Sequence, residues 1–395
     1  MTILNETLNF YRLYQHCMGT SEVPQVYHYW SCLSLVASVL EDRVYFELYR
    51  DEPVYPNLYV MLLGPSGVCK GLAIGAAKRL LDKADNVEIN TYRGQLTAPG
   101  LVDVLGGRAE RDKELNYIND AKLWLLMDEL ANDIGAGGPT MVRSFLKMMT
   151  ELFTGHYVFN TGTRMHGYVT IDNACVNWLC GTQKAWLLDV LTRDMVHSGF
   201  TPRLFPVFSG YVNEAVKWPD YPPDRDQVYE HLKARLLMLR CISGGFKITP
   251  QADAVYSKWY EERVPPDDDM LRPFWQRQRE FMFKLAMILS VMDAGPLVIN
   301  SNHVCRALGL ISQATRWHQQ LIEVASVTRE TVDINEVTEL LMKKKVITRS
   351  ALLKGVHRRG YNAYRLEKVM KDLLQSEQVT QSVGAKGAVV YNWVG

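Results

Sequence analysis

The sequence predicts an α/β protein: a mostly parallel sheet with helices on both faces, then a helical segment, then a small C-terminal unit of three helices and a hairpin. Three observations predict it. Short apolar runs at Leu58–Leu63, Leu123–Met127, Cys175–Cys180 and Leu204–Phe208 read as strands buried on both faces. Apolar residues at 3–4 spacing recur between those runs, as crossover helices require. The last 55 residues change character and become strongly basic.

Taken in order, residues 3–45 read as helical, with Leu33, Leu35, Val36, Val39 and Leu40 forming an apolar stripe behind Tyr27–Trp30. Val44–Leu48 reads as a short strand and Arg50–Pro53 as a turn. The strand Leu58–Leu63 runs into the turn Gly64-Pro-Ser-Gly-Val-Cys-Lys70, and Gly71–Lys83 reads as a helix. A polar stretch from Arg93 to Pro99 leads to a short helix at Gly100–Leu105, and the charged segment Gly106–Asn119 reads as a loop or hairpin. Lys122–Met127 is a buried strand ending in Asp128-Glu129, and Val142, Phe145, Leu146, Met149, Leu152 and Phe153 mark the next helix. Tyr157–Gly167 reads as a hairpin, and Trp218–Asp226, rich in Pro and Asp, as a linker. Residues 227–325 read as helices. Residues 335–395 read as three short helices and a hairpin turning at Gly384–Gly387, which is a winged-helix pattern. The expected domains are therefore an N-terminal helical segment (1–48), a core (49–226), a helical domain (227–325) and a winged-helix domain (335–395).

A strand, a glycine-containing turn, a lysine and a helix make the layout of a phosphate-binding loop, in which backbone N–H groups cradle a polyphosphate and the lysine reaches its outer oxygens. Gly64, Pro65, Ser66, Gly67, Val68, Cys69, Lys70 and Gly71 would form it. Two positions depart from the usual pattern: Cys69 stands where a glycine is usual, and Gly71 supplies no hydroxyl for a metal ion. The bland alternative is an ordinary strand-to-helix turn. Asp128 and Glu129, 58 residues after Lys70 at the earliest, end a strand that can lie near the loop. There Asp128 would hold Mg²⁺ and Glu129 would polarise a water. Thr182 and Gln183 close a further strand, where they would sense a γ-phosphate or simply turn the chain. Arg203 precedes a strand and would stabilise charge in phosphoryl transfer from a neighbouring subunit, with Arg193 as a rival and a surface ion pair as the plain alternative. Arg277, Glu280 and Lys284 share a helix face, so one basic group there would fold over a nucleotide, unless the face is merely solvated.

The 395 residues carry a net charge of +1, but the tail 341–395 holds eleven Lys and Arg against three acids, +8, leaving −7 for the rest. Arg358, Arg359, Arg365 and Lys368 lie on or before the third tail helix, where a winged helix contacts DNA, although such units also serve protein contacts. Arg164 and His166 sit in the predicted hairpin, where they would grip a phosphate backbone or lie in a plain surface loop. Seven scattered Cys without CxxC spacing argue against a disulfide framework and a zinc site and fit a reducing cytoplasm. The first twelve residues lack a signal-peptide core, and Leu285–Ile299, broken by Asp293, Gly295 and Pro296, is too short to span a bilayer, so no membrane partner is expected.

The order of these stretches resembles the AAA+ superfamily, and within it the MCM-like replicative helicases of phages and mobile genetic elements. Tyr55-Pro-Asn-Leu-Tyr59 running into Gly64-Pro-Ser-Gly-Val, the Asp128-Glu129 strand end, Cys180-Gly-Thr-Gln183, Gly199-Phe-Thr-Pro-Arg203 and the Arg277/Glu280/Lys284-Leu-Ala286 helix carry the resemblance. It implies a P-loop NTPase (AAA+) core with a helical lid, binding ATP and Mg²⁺ between the subunits of a hexameric ring. Arg203 would then be the arginine finger, Arg277 the sensor of the lid, and the Tyr157–Gly167 hairpin the DNA grip. The implied activity is that of an ATP-dependent DNA helicase or translocase, with a primase or single-strand-binding protein supplied separately. The rival is a DNA-binding initiator or helicase-loader scaffold that has lost turnover, favoured by Cys69 and Gly71. A metabolic P-loop kinase is weaker, because it has no use for a DNA-reading tail.

Overall fold

The computed structural model describes residues 9–50, 52–113, 121–134, 138–154, 159–163, 167–171, 173–184, 186–187, 199–210, 215–326, 329–357, 363–384 and 387–394. Its contacts divide the chain into two compact units, Met1–Ile322 and Glu323–Gly395.

The first unit opens with α1 (Phe10–Met18) and α2 (Gln25–Leu40) rather than one helical run. Gly19, at φ 61°, ends α1, and Pro24, which cannot donate to a preceding turn, starts α2. From Tyr27 onward α2 is buried on all sides except at Tyr29, because it packs between the next helix and the sheet. Strands β1 (Val44–Tyr49) and β2 (Glu52–Val54) pair antiparallel, so half of the expected turn Arg50–Pro53 belongs to a strand.

The central elements follow in the order β3 (Tyr59–Leu63), α3 (Lys70–Asp82), β4 (Thr91–Arg93), α4 (Ala98–Lys113), β5 (Lys122–Met127), α5 (Leu130–Ile134), α6 (Gly138–Leu152), β6 (Phe159–Thr163), β7 (Gly167–Ile171), β8 (Cys175–Thr182) and β9 (Phe205–Phe208). Five of these strands form a parallel sheet in the order β4-β5-β8-β3-β9. Every residue of β3 and β8 is buried, the signature of strands covered on both faces. The chain leaves β3 for the far edge at β4 and finally returns to its other side at β9. The crevice at the carboxyl ends beside β3 is therefore where such a sheet binds ligands.

Two boundaries differ from the sequence reading. α4 continues to Lys113, through most of the segment expected as a loop, since Arg, Glu and Lys have good intrinsic helix propensity. The hairpin β6–β7 runs from Phe159 to Ile171 and is displaced toward the C-terminus from Tyr157–Gly167. Its turn, with Arg164 and His166, lies outside the described residues.

The first unit closes with α7 (Arg225–Cys241), β10 (Gly244–Gly245), β11 (Lys247–Ile248), α8 (Pro250–Glu261), α9 (Arg272–Met292), β12 (Val298–Ile299) and α10 (Ser301–Ser326). β10 adds to β1 in parallel, and β11 pairs with β12. Phe281–Met292 of α9 is buried throughout.

The second unit holds α11 (Arg329–Lys344), β13 (Val346–Thr348), α12 (Arg349–His357), α13 (Ala363–Gln375), β14 (Val379–Val383) and β15 (Val389–Trp393). The three strands pair antiparallel in the order β13-β15-β14, with the short β13 additional to the expected elements. Val337, Leu341, Leu352, Val356, Leu366, Val369, Met370, Leu373 and Tyr391 make its own core. No helix among the described residues is long and apolar enough to cross a membrane.

Candidate active site

The turn after β3 is shaped by two left-handed residues. Gly67 has φ 86°, and Cys69 has φ 54° and ψ 27°. Alternation of this kind turns successive backbone N–H groups toward one concavity, an anion-binding arrangement. The left-handed backbone at Cys69 explains why a glycine is usual there, and a cysteine holds it at a cost of about 1 kcal/mol. α3 then starts at Lys70 with its N-terminus facing the same concavity.

Lys70 is buried, and its Nζ donates to Gly64 O and Pro65 O, both at 2.9 Å. Burial lowers its pKa, while the nearby Glu129 carboxylate pulls it back up. Burial raises the pKa of Glu129, against the pull of Lys70 and of a hydrogen bond from Gln183. The lysine, the two acids, Thr182 and Gln183 thus share one cleft. Register explains why: Leu63 of β3 lies opposite Thr182 of β8, and Met127 of β5 opposite Cys180. Gly181 lets them approach, since a Cβ there would stand 2.6 Å from Asp128 O and 3.3 Å from Lys70 Cβ.

Three oxygens in this cleft are buried without a hydrogen-bond partner among the described residues: Asp128 Oδ1, Glu129 Oε1 and Thr182 Oγ1. Leaving such groups unpaired costs about 1–3 kcal/mol each. The carboxylate oxygens accept only, so a donor such as water suits them, while the Thr182 hydroxyl can donate to an anion.

Arg93, at the end of β4, carried no sequence signal. Its Nη2 and Nε lie 2.5 Å and 3.1 Å from Asp128 Oδ2. A three-residue strand is too short to be legible, and only its pairing with β5 brings Arg93 to Asp128. This bears on the expected Mg²⁺ at Asp128. Residue 71 has no hydroxyl, and a Cβ there would lie 3.8 Å from Asp128 Cβ, so this is where the usual second ligand would stand. Instead the accessible oxygen of Asp128 faces a guanidinium. No group of three or more His, Cys, Asp or Glu residues suited to a metal ion occurs among the described residues. The residues present do not fit a protein-held metal ion.

A cavity of about 300 Å³ adjoins the loop, lined by Cys69, Leu72, Ala76 and Arg79 on one side and His28, Tyr221 and Tyr229 on others. His28 is buried, both ring nitrogens lack partners among the described residues, and burial lowers its pKa to about 4, so it is neutral. The cavity joins three distant parts of the sequence, which hides it from sequence reading.

Arg203 and Arg277 lie elsewhere. Arg203 sits in a 3-10 turn (Thr201–Arg203) just before β9, and Val60 of β3 lies opposite Phe205. Arg203 is thus level with Leu58, at the amino end of the sheet, about 16 Å along the strand from Leu63. Burial, then the neighbouring Arg277 charge, lowers its pKa to about 10. Its Nη1 donates to Gly199 O. Arg277 pairs with Glu280 at 3.4 Å. Lys284, expected on a solvated or lid-forming face, is instead buried, donating to Tyr55 O (2.7 Å) and Asn57 Oδ1 (2.6 Å), because α9 packs this face against the chain entering β3.

Arg358 and Arg359, like the rival Arg193, lie outside the described residues, as does the side chain of Arg365. Lys368 lies exposed on α13, opposite the buried Leu366, Val369 and Met370.

The fold and this cleft define the chain as a parallel α/β protein with a buried lysine in the turn at the carboxyl edge of its sheet. No protein-family model and no curated protein matches it. Among solved structures it is similar to a full-length MCM homolog from Methanopyrus kandleri, at 13% identity and a TM-score of 0.42, over 78% of this chain. The match spans 59% of that homolog's length.

Proposed function

We propose that the chain is an ATP-dependent DNA helicase or translocase of the AAA+ type, acting in phage or mobile-element replication as a hexameric ring. In this reading residues 49–226 form the nucleotide core, 227–325 the lid and 335–395 a winged-helix DNA-binding domain. The carrying observation is the shared cleft of Lys70, Asp128 and Glu129, with Arg203 and Arg277 together at the far end of the same sheet. A side chain cannot span that separation, so both halves meet one nucleotide only if a second copy supplies the arginines.

The triphosphate would enter the loop and draw Lys70 away from the carbonyls of Gly64 and Pro65. The nucleoside would fill the cavity beside His28 and Leu72. Glu129, held by Gln183, would take a proton from a water as its oxygen bonds to the γ-phosphorus and the bridging P–O bond breaks, releasing ADP. The neighbour's Arg203 would face the charge that develops. The basic tail, through Arg358, Arg359, Arg365 and Lys368, and the hairpin residues Arg164 and His166 would hold the DNA backbone.

DNA-stimulated ATPase assays on the wild type, Lys70→Ala and Glu129→Gln test this. Turnover is expected in the wild type alone, with both variants down by about 10²-fold or more. Turnover equal to that of Lys70→Ala would leave the second reading, a nucleotide-binding initiator or loader scaffold. The absent hydroxyl at Gly71 and the guanidinium on Asp128 favour that reading.

A further inference from the structure

We propose that Arg93 is a phosphate-facing cation that substitutes for a protein-held metal ion, so that this chain binds nucleoside triphosphate with little dependence on Mg²⁺. The proposal rests on the nucleotide reading above and adds to it a residue and a metal requirement.

Gly71 and Gly75 lie one turn apart on α3, and the face they share looks toward Asp128 and two guanidiniums. A Cβ at Gly71 would lie 3.8 Å from Asp128 Cβ. A Cβ at Gly75 would lie 3.9 Å from Arg93 Nη2 and 3.1 Å from Arg79 Nη1. The departure at residue 71 therefore belongs with a second feature. Where a hydroxyl and a hydrated ion would need room beside Asp128, the two glycines leave room for arginine.

The chemistry follows from donor counting. A guanidinium carries five N–H donors in a planar fork. Arg93 directs Nη2 and Nε at a single oxygen, Asp128 Oδ2, leaving the remaining donors for other oxygens. Its side chain is 45% exposed and that of Asp128 41%, so the pair lies open to the cleft rather than sealed in a core. The same cleft holds Lys70, because a Cβ at Gly181 would stand 2.6 Å from Asp128 O and 3.3 Å from Lys70 Cβ. Asp128 would then act as the positioning residue that aims Arg93, and Lys70 with Arg93 would neutralise the phosphate oxygens from two sides. Divalent metal in solution would accompany the nucleotide without a protein oxygen to hold it.

The test is a titration of the full chain with a fluorescent ATP analogue, in EDTA and in Mg²⁺. For the wild type the two dissociation constants should agree within about threefold. Arg93→Met should weaken metal-free binding by about tenfold or more, and Arg93→Lys, which keeps the charge but loses the fork, by less. Gly71→Ser, whose Cβ would meet only ordinary contacts, should tighten binding in Mg²⁺ and leave binding in EDTA unchanged. Wild-type binding about tenfold weaker in EDTA, or Arg93→Met binding like the wild type there, overturns the proposal. The nucleotide reading fails separately, through wild type that binds in neither buffer or Lys70→Ala that binds as well as wild type. Since each protein is its own reference in the EDTA-to-Mg²⁺ ratio, a general loss of folded protein does not mimic the expected result.

Discussion

Among the residues of the cleft, Gly181 has a tightly constrained position. It separates the end of β5 from Lys70, and a methyl group there would meet a backbone oxygen at 2.6 Å, which cannot rotate away. Gly181→Ala is expected to cost about 1–3 kcal/mol and to weaken nucleotide binding about tenfold or more. Urea melts read the first and analogue titration the second; an unchanged melt with intact binding would contradict the packing described. Glu129 offers a second check. Burial raises its pKa, so the carboxylate proposed as base is lost as pH falls through a value above its ordinary one. The acid limb of the kcat profile should sit correspondingly high, and Glu129→Gln should stay about 10²-fold or more below the wild type at every pH. The sequence displayed Lys70, Asp128 and Glu129 because each ends or follows a continuous apolar run. It concealed Arg93 because a guanidinium in a polar stretch is indistinguishable from a solvated one until its strand is paired.

At the level of elements, the covered strands and the strongly patterned helices were legible, since burial on both faces leaves an unbroken apolar signature. β4 was not, at three residues, and neither was the second half of α4, whose charged positions carry no periodic signal. Tertiary pairing decides both. The same packing sets how stability depends on pH. His318 of α10 is fully buried, stacks on Phe274 of α9 with centroids 3.8 Å apart, and donates from Nε2 to Leu204 O at 3.1 Å. Burial lowers its pKa to about 3, and that of His28 in α2 to about 4. Both are neutral when folded, and the unfolded chain takes up the protons. Stability is therefore complete above the unfolded value near 6.5 and is lost as pH falls below it. Each histidine should remove about 2 kcal/mol between pH 6.5 and 5. Denaturant melts at the two pH values measure this, and His318→Gln should flatten the slope by about half.

For the whole molecule, the proposed division of the site between Lys70 of one copy and Arg203 of the next would make activity a property of neighbours. Lys70→Ala and Arg203→Ala should each be inactive alone. Mixed in equal amounts they should regain about a quarter of wild-type turnover, since that fraction of head-to-tail contacts in a ring joins an intact lysine to an intact arginine. Mixtures as inactive as the separate variants would place both halves of the site in one chain or in none. The uneven charge, +8 in the tail against −7 in the remainder, gives a further expectation. DNA affinity should fall steeply with salt, and Lys368→Glu with Lys371→Glu should lower the slope of log K against log salt by about 2 if both contact phosphates. Binding that ignores salt would remove the tail from the DNA-contacting role.

Tyr27, in the middle of α2, donates its hydroxyl toward Leu63 O at 2.6 Å and Ser209 O at 3.3 Å, the last residue of β3 and the first after β9. The same oxygen stands 2.6 Å from where a Cβ at Gly64 would be. One phenol thus braces the mouth of the anion cradle from behind, and the next residue, His28, walls the adjoining cavity. The opening helices are consequently scaffolding for the loop after β3 and not a detachable tether. Trimming the chain back to β1 would collapse the cradle along with the helices, whereas Tyr27→Phe would keep the ring's bulk and loosen only the brace.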